Sequence, residues 1–322
     1  MEVVKEEKYV GDIITGDGKH TKNIMARRSK GIGIVSEIIS ILDGLFLGKH
    51  YFRTAVMLRQ AMLLSVLLFN SETWLRLNKA DLNRLEGVDR MFLRRVFQVP
   101  TSTPTAALYL ETGCLPINVL MKVKRIMFLH HILTRQDDAL IKKVFCAQAS
   151  QPVKGDWVLV VKEDMEYIGL GHLTFENIAG LSKGTLRTMV KAKARDTAWR
   201  ELMAQKEKSS KLAPLKYASF SMQPYLTAEC NLSNRAKRAL FRWRSHTISV
   251  QQNWGMKNAK CPLCESADDT QYHLLTCPKL KTPQPWNIES VVEALRQREV
   301  ILEEKEKNQD HTQTEKQTPN TT

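Results

Sequence analysis

No stretch of this chain is long and apolar enough to predict a membrane span. The most apolar run, Ala55 to Phe69, carries Arg59 and Gln60 and falls short of the roughly 20 residues a span needs; it predicts a core helix. The N-terminal Met1 to Lys8 has no apolar centre and does not read as a secretory leader. Cysteine is scarce, six in 322 residues, and Cys114, Cys146 and Cys230 show no framework spacing. That argues against a disulfide scaffold and for a reducing compartment, nucleus or cytoplasm. No repeat of fixed period is visible. Gly31-Ile-Gly33 follows no strand directly and lacks both a third glycine and a Walker lysine, which argues against a phosphate-binding loop. Acid is also short: 34 Asp and Glu stand against 48 Lys and Arg, a net charge of +14. A surplus of that size points to a polyanionic partner, nucleic acid ahead of an acidic membrane face.

What is present is an ordinary globular composition, 43% hydrophobic and 25% charged, with length for about two domains. Two features near the C-terminus carry chemistry. The first is Cys261-Pro-Leu-Cys264 followed by His273 and Cys277, a C-x2-C-x8-H-x3-C spacing. Two thiols grip an ion from a tight turn, and the His and last Cys close the shell from about one helical turn apart. Zn²⁺ favours such a closed tetrahedral set of S and N donors, and with no position left for water the site reads as structural.

The second feature is local charge. From Cys230 to Cys264 there is no Asp or Glu, while seven Lys and Arg occur. Asn231 to Ser249 predicts a helix with Leu232, Ala236, Ala239, Leu240 and Trp243 on one face. Arg235, Arg238 and Arg242 then line one edge of that stripe, and Lys237 and Arg244 the other. Guanidinium groups bind phosphate bidentately, so such a row can follow a nucleic-acid backbone without reading sequence.

Earlier in the chain, residues 8–15 predict a short strand ended by the turn Gly16-Asp17-Gly18. A helix opens at His20-Thr21, carries Lys22, Arg27, Arg28 and Lys30, and continues through Ile34, Ile38, Ile41 and Leu42. Residues 50–74 predict an apolar helix. Asn78 is placed to cap another, running to about Gln98, and Pro116 starts one to about Arg135. His130 and His131 are adjacent, hence on different sides of a helix, and do not chelate one ion. Gln151 to Gly155 reads as a linker and a candidate boundary. A lysine-rich segment runs from about Leu181 to Lys208, Trp286 to Lys307 predicts a charged helix, and residues 308–322 are polar enough to predict disorder.

Several of these pieces resemble one family. Lys8-Tyr9-Val10-Gly11-Asp12, the Asp17-Gly18 turn and the following Lys22, Asn23, Arg27 and Lys30 are similar to the end of the palm in non-LTR (LINE-type) retrotransposon reverse transcriptases. There a YLGD-like hairpin supports the primer end and the thumb helices follow it; Val10 stands where Leu is usual. Phe69 to Trp74, Leu108 to Gly113, the run from Gln151 to Trp157 and the Cys261/Cys264/His273/Cys277 knuckle look like the region after the polymerase. The resemblance covers about residues 8–280. It implies a mainly α fold with a short N-terminal β-hairpin (residues 1–20), a thumb-like helical region (21–150), a helical linker region (156–250) and a zinc knuckle (251–285). It also implies RNA and/or DNA as partners, with Lys22, Arg27, Arg28 and Lys30 on the primer side.

The departures set the expected activity. Two-metal polymerase chemistry needs clustered carboxylates, supplied in this family by a Tyr/Phe-x-Asp-Asp turn that this chain lacks. Asp137-Asp138 sit at a helix start, and Asp268-Asp269 lie inside the metal loop. The fingers and most of the palm would precede Met1, or be supplied in trans, and little follows Cys277. The expectation is a nucleic-acid-binding piece without polymerase or endonuclease activity, the alternatives being a protein-interaction scaffold and a degenerate element copy.

Overall fold

The computed structural model describes residues 5–248, 250, 256, 259–281, 290–298, 300–302 and 304; the expected disordered tail lies outside them. The protein is mainly helical with one small antiparallel sheet. Among the described residues no helix is long and apolar enough to cross a membrane. The chain divides into two units, one formed by residues 1–96 and 104–229, the other by 97–103 and 230–322. The expected boundary at 151–155 is therefore corrected. Trp157, just beyond it, donates from Nε1 to the Glu72 carbonyl at 2.8 Å and meets Phe145, from before it, edge-on. Packing across the proline–glycine stretch makes it an internal turn.

In the first unit, β1 (Glu6–Tyr9) pairs with β2 (Asp12–Thr15), Tyr9 opposite Asp12. The expected single strand over 8–15 thus folds back on itself. Val10 and Gly11 have φ of 45° and 87°, the left-handed pair that a two-residue turn matched to strand twist requires. An isolated two-stranded hairpin is marginal in water. This one is fastened by Asp12, whose carboxylate accepts from Asn23 at 2.7 Å and from Arg27 and Asn70.

Helix α1 (Thr21–Gly44) buries Ile24, Gly31, Val35, Ile38 and Leu42, so the apolar stripe centres on Val35 and leaves Ile34 and Ile41 half-buried. Gly31 serves packing. A Cβ there would come within 2.7 Å of Leu67 and 3.2 Å of Val88.

The helix expected over 50–74 is broken. α2 (Tyr51–Leu58) gives way to a π-helical turn, Arg59–Leu63, then α3 (Leu64–Leu67). Arg59 is buried there against Asp89, with Nε–Oδ1 at 2.6 Å and Nη2–Oδ2 at 2.7 Å, and it also donates to the Leu115 carbonyl at 3.0 Å. The Tyr109 hydroxyl donates to the same carboxylate at 2.9 Å. Asp89 lies on α4 (Lys79–Phe97), whose start is capped as expected: the Asn78 Oδ1 accepts from the Asp81 N–H at 2.8 Å.

After α5 (Thr105–Thr112), Gly113 turns the chain at φ 65° and lets the backbone of Ser221 and Met222 pass where a Cβ would lie 2.6 Å away. That segment is fastened by Tyr217 and Tyr225, which both donate to the buried Glu111 carboxylate, at 2.8 and 2.9 Å. A second core gathers α6 (Ile117–Leu133), α7 (Leu140–Ser150), α8 (Trp157–Tyr167), α9 (Phe175–Gly180) and α10 (Lys183–Glu207) around Ile126, Leu129, Val158, Val161, Leu186 and Val190. His130 is buried with Nε2 2.9 Å from the Leu181 carbonyl, a satisfied core histidine, whereas His131 is exposed.

The second unit holds α11 (Asn234–Arg244), a Cys/His turn and α12 (His273–Thr276). Residues 290–298 are helical. Val291 and Ala294 pack with Ile248, Val250, Cys261, Leu263, Leu274 and Cys277 in one small core. The helix expected over 286–307 is described only in part, and there it is an integral piece of that core.

Candidate metal centre and cationic surfaces

The Cys261–Cys264 turn is built by its backbone. The Cys261 N–H donates to the Ala267 carbonyl, the Glu265 N–H to the Cys261 carbonyl and the Asp269 N–H to the Ala259 carbonyl, each at 2.8 Å. Glu265 closes the turn in the left-handed region at φ 57°, and Lys260 pairs across it with Asp268 at 3.0 Å. His273 then opens α12, its N–H held by the Thr270 hydroxyl at 2.9 Å, and Cys277 follows the last residue of the same short helix. The His and Cys thus face the turn from i and i+4.

All four donor atoms lie within 4.8 Å of one another. The Cys261 and Cys277 sulfurs are 3.9 Å apart, and the Cys264 sulfur is 3.2 Å from His273 Nε2. Zn–S bonds of about 2.3 Å at tetrahedral angles put two sulfurs about 3.8 Å apart, so this spacing suits a metal ion and the donor set is compatible with zinc. Cys261, His273 and Cys277 are buried. The Ser266 hydroxyl, at 3.1 Å, opposed by burial but helped by the backbone N–H groups of Ser266 and Ala267 and by His273, brings the Cys264 thiol down to about 6. Burial pushes the Cys277 thiol up to about 11. An ion entering the site displaces that proton, which couples metal binding to folding. Four protein donors would leave no open coordination position on a tetrahedral ion held there.

The supports of this centre were not evident in the sequence. Asp269, from the acidic pair inside the loop, is buried and receives Arg298 Nη2 at 2.7 Å. Gln271 donates to the Trp243 carbonyl at 3.0 Å and so ties the loop to the end of α11. Asp137, in the other acidic pair, is exposed and pairs with Lys142 at 2.7 Å. The two Asp-Asp pairs occupy different units.

The basic helix differs from its expected orientation. It runs Asn234–Arg244, with Ser233 capping the Ala236 N–H at 3.2 Å. Phe241, absent from the expected stripe, is fully buried and stacks on Phe97 with centroids 3.9 Å apart. Because the helix buries this side as well as Ala236 and Ala239, Lys237 is fully buried rather than at an outward edge. That corrects its assignment as a phosphate contact. Arg242 is half-buried and donates to the Gln98 carbonyl at 2.8 Å. Arg238 and Arg244 are half-buried, and Arg235 is exposed.

On α1, Lys22, Arg28 and Lys30 are exposed, Lys22 in an ion pair with Glu6. Arg27 is not available. Its guanidinium is buried between the Phe69 and Trp74 rings, 5.3 and 5.2 Å from their centroids, while pairing with Asp12 and donating to the Val66 carbonyl at 2.9 Å. The i, i+4 spacing from Asn23 puts both side chains on the hairpin carboxylate, so Arg27 is a fastener, which corrects its primer-side assignment.

Comparison with family models, curated proteins and solved structures gives no match to this chain.

Proposed function

We propose that this chain is the region after the catalytic palm of a non-LTR-type reverse transcriptase, binding RNA or DNA through its cations without joining or cutting it. The observation that carries the reading is the convergence of Cys261, Cys264, His273 and Cys277 on one closed donor set, in the same unit as an acid-free stretch bearing Arg235, Arg238, Arg242 and Arg244. In this reading the site holds zinc, and the ion sets the geometry of a small unit whose apolar core alone is slight.

The hairpin supports the same reading. Its tip leaves Tyr9 and Val10 66% and 71% exposed, next to Ile14 and Phe69. A palm packed on the hairpin would bury them. The expected lack of polymerase activity follows from the missing Tyr/Phe-x-Asp-Asp turn, and the test is direct. The purified chain, loaded with zinc, is titrated with labelled RNA, DNA and RNA·DNA duplexes at several salt concentrations. Binding whose log K falls steeply with log salt is expected; a flat dependence removes the electrostatic basis. Nucleotide incorporation by the chain alone would contradict the non-catalytic assignment.

A further inference from the structure

We infer that α10, in the first unit, carries a second phosphate-binding track formed by Lys183, Arg187 and Lys191, with His131 and Arg135 at its head. The inference rests on the polyanion-binding reading but not on the zinc unit.

Between Asn177 and Arg195 the sequence has five Lys and Arg and no acid. Lys183, Arg187 and Lys191 recur every four residues and are all exposed, so they form a row along one side of the helix. Successive members are about 6 Å apart along the axis. Like charges at i, i+4 destabilise a helix, and among the described residues none of the three has an acidic partner. Arg195 continues the row but is engaged, donating to the Phe220 carbonyl and lying over the Phe220 ring. The adjacent row of α10, one residue before each of Arg187, Lys191 and Arg195, buries Leu186, Val190 and Ala194 and continues through Ala198 and Leu202.

A solvated surface helix normally mixes signs. This one concentrates them where α6 ends. Arg135 lies against His131, 3.0 Å from Nε2, and slight desolvation of the otherwise exposed ring, with the positive charges of Arg135, Lys183 and His130, brings His131 below its usual value. Arg135 just past α6, Lys183 at the head of α10 and the positive dipole end of that 25-residue helix thus meet at one end of the row.

A nucleic-acid backbone fits this surface better than a lipid face. Membrane-surface helices bury an apolar face at the headgroup boundary, and the apolar face of α10 is already spent on the core. The row presents charge alone. A strand contributing one phosphate per about 3.4 Å of duplex axis meets it at several points.

The test uses the full zinc-loaded chain and a variant carrying Lys183→Gln, Arg187→Gln and Lys191→Gln. Both are titrated into a mixed-sequence DNA duplex and an RNA of similar length across a salt series, and into vesicles containing phosphatidylserine. The zinc content and far-ultraviolet circular dichroism of the variant are checked against the parent. The expected result is a salt slope reduced by about 2.7, from three contacts at about 0.9 each, with weakening that is uniform across sequences. An unchanged slope, or a loss confined to the vesicles, overturns the inference. Arg235→Gln in the zinc unit is measured in parallel. A normal slope there with a reduced slope for the α10 variant removes the proposed role of α11 while leaving the α10 track standing, and the reverse pattern removes the α10 track alone.

Discussion

Arg298 places Nη2 2.7 Å from Asp269 Oδ2, with both side chains almost fully buried, and so locks the helix at 290–298 onto the loop of the Cys/His cluster. Removing one partner of a buried pair leaves a desolvated charge and typically costs about 3–5 kcal/mol, whereas replacing both by apolar groups is often neutral. Asp269→Ala should therefore destabilise the second unit strongly. Asp269→Leu with Arg298→Met should recover most of the loss. Denaturant unfolding followed by zinc release to a chromogenic chelator reads both. Equal stability of Asp269→Ala and the parent would show that the pair does not hold the unit together.

The metal centre makes a stoichiometric prediction. The protein should bind one Zn²⁺, and Cys261→Ser or Cys277→Ser should abolish it, because each removes one of four donors in a closed set. Chelation should unfold the second unit and leave the helices of the first intact, since the small core around Leu263, Leu274 and Cys277 is built on the ligands themselves. Elemental analysis and hydrogen exchange separate these outcomes. Retention of the ion by Cys277→Ser would contradict the ligand set.

The clustering of Cys261, Cys264, His273 and Cys277 was legible in the sequence because their spacing is local: two lie on one turn and two on one helical turn. The capped start of α4 was legible for the same reason. Long-range pairing was not. Arg27 and Arg28 are neighbours on one helix and look alike, yet one is buried against a carboxylate from the hairpin and the other is solvated. Lys237 lies in a cationic run, and only the stacking of Phe241 on Phe97 decides which side of its helix faces inward. The π-helical turn in the expected 50–74 helix begins at Arg59, whose partner Asp89 lies thirty residues away. Periodicity finds faces; it does not find the partner that overrides them.

Two glycines should respond in opposite directions. Gly113 has φ 65°, and a Cβ there would meet the Ser221 backbone at 2.6 Å, so Gly113→Ala combines a left-handed penalty with overpacking and should cost about 2–4 kcal/mol. Gly33 lies exposed within α1 with nothing within 4 Å of an added Cβ. Gly33→Ala should stabilise by about 0.4–1 kcal/mol through the unfolded chain. Thermal unfolding of the two variants beside the parent settles both signs.

Asp12 gives the pH dependence of the hairpin. Burial raises its carboxyl, but hydrogen bonds from Asn70, Asn23 and Arg27 and the Arg27 charge outweigh that, and its net value falls below the ordinary 3.8. A carboxyl depressed on folding contributes stability that is fully present above its unfolded value and is lost as pH falls through the folded one. The hairpin should thus stay docked through mildly acidic conditions and loosen only below about pH 4. Asp12→Asn should be destabilised at neutral pH and show a shallower acid dependence, followed by hydrogen exchange of the 6–15 amides. An acid transition identical in Asp12→Asn and the parent would assign it to other carboxylates.

The exposed and buried arginines should separate binding from stability. Arg235→Gln removes an exposed cation, so the salt slope of nucleic-acid binding should fall by about 0.9, with the smaller stability cost expected of a surface position. Arg27→Gln removes the partner of Asp12, the donor to Val66 and the cation between Phe69 and Trp74. It should unfasten the hairpin and lower stability while leaving the slope intact, because a guanidinium buried between two rings releases no counterion. A slope that fell for Arg27→Gln and not for Arg235→Gln would reverse the two assignments, moving the nucleic acid onto the hairpin cleft and leaving the zinc unit a purely architectural part.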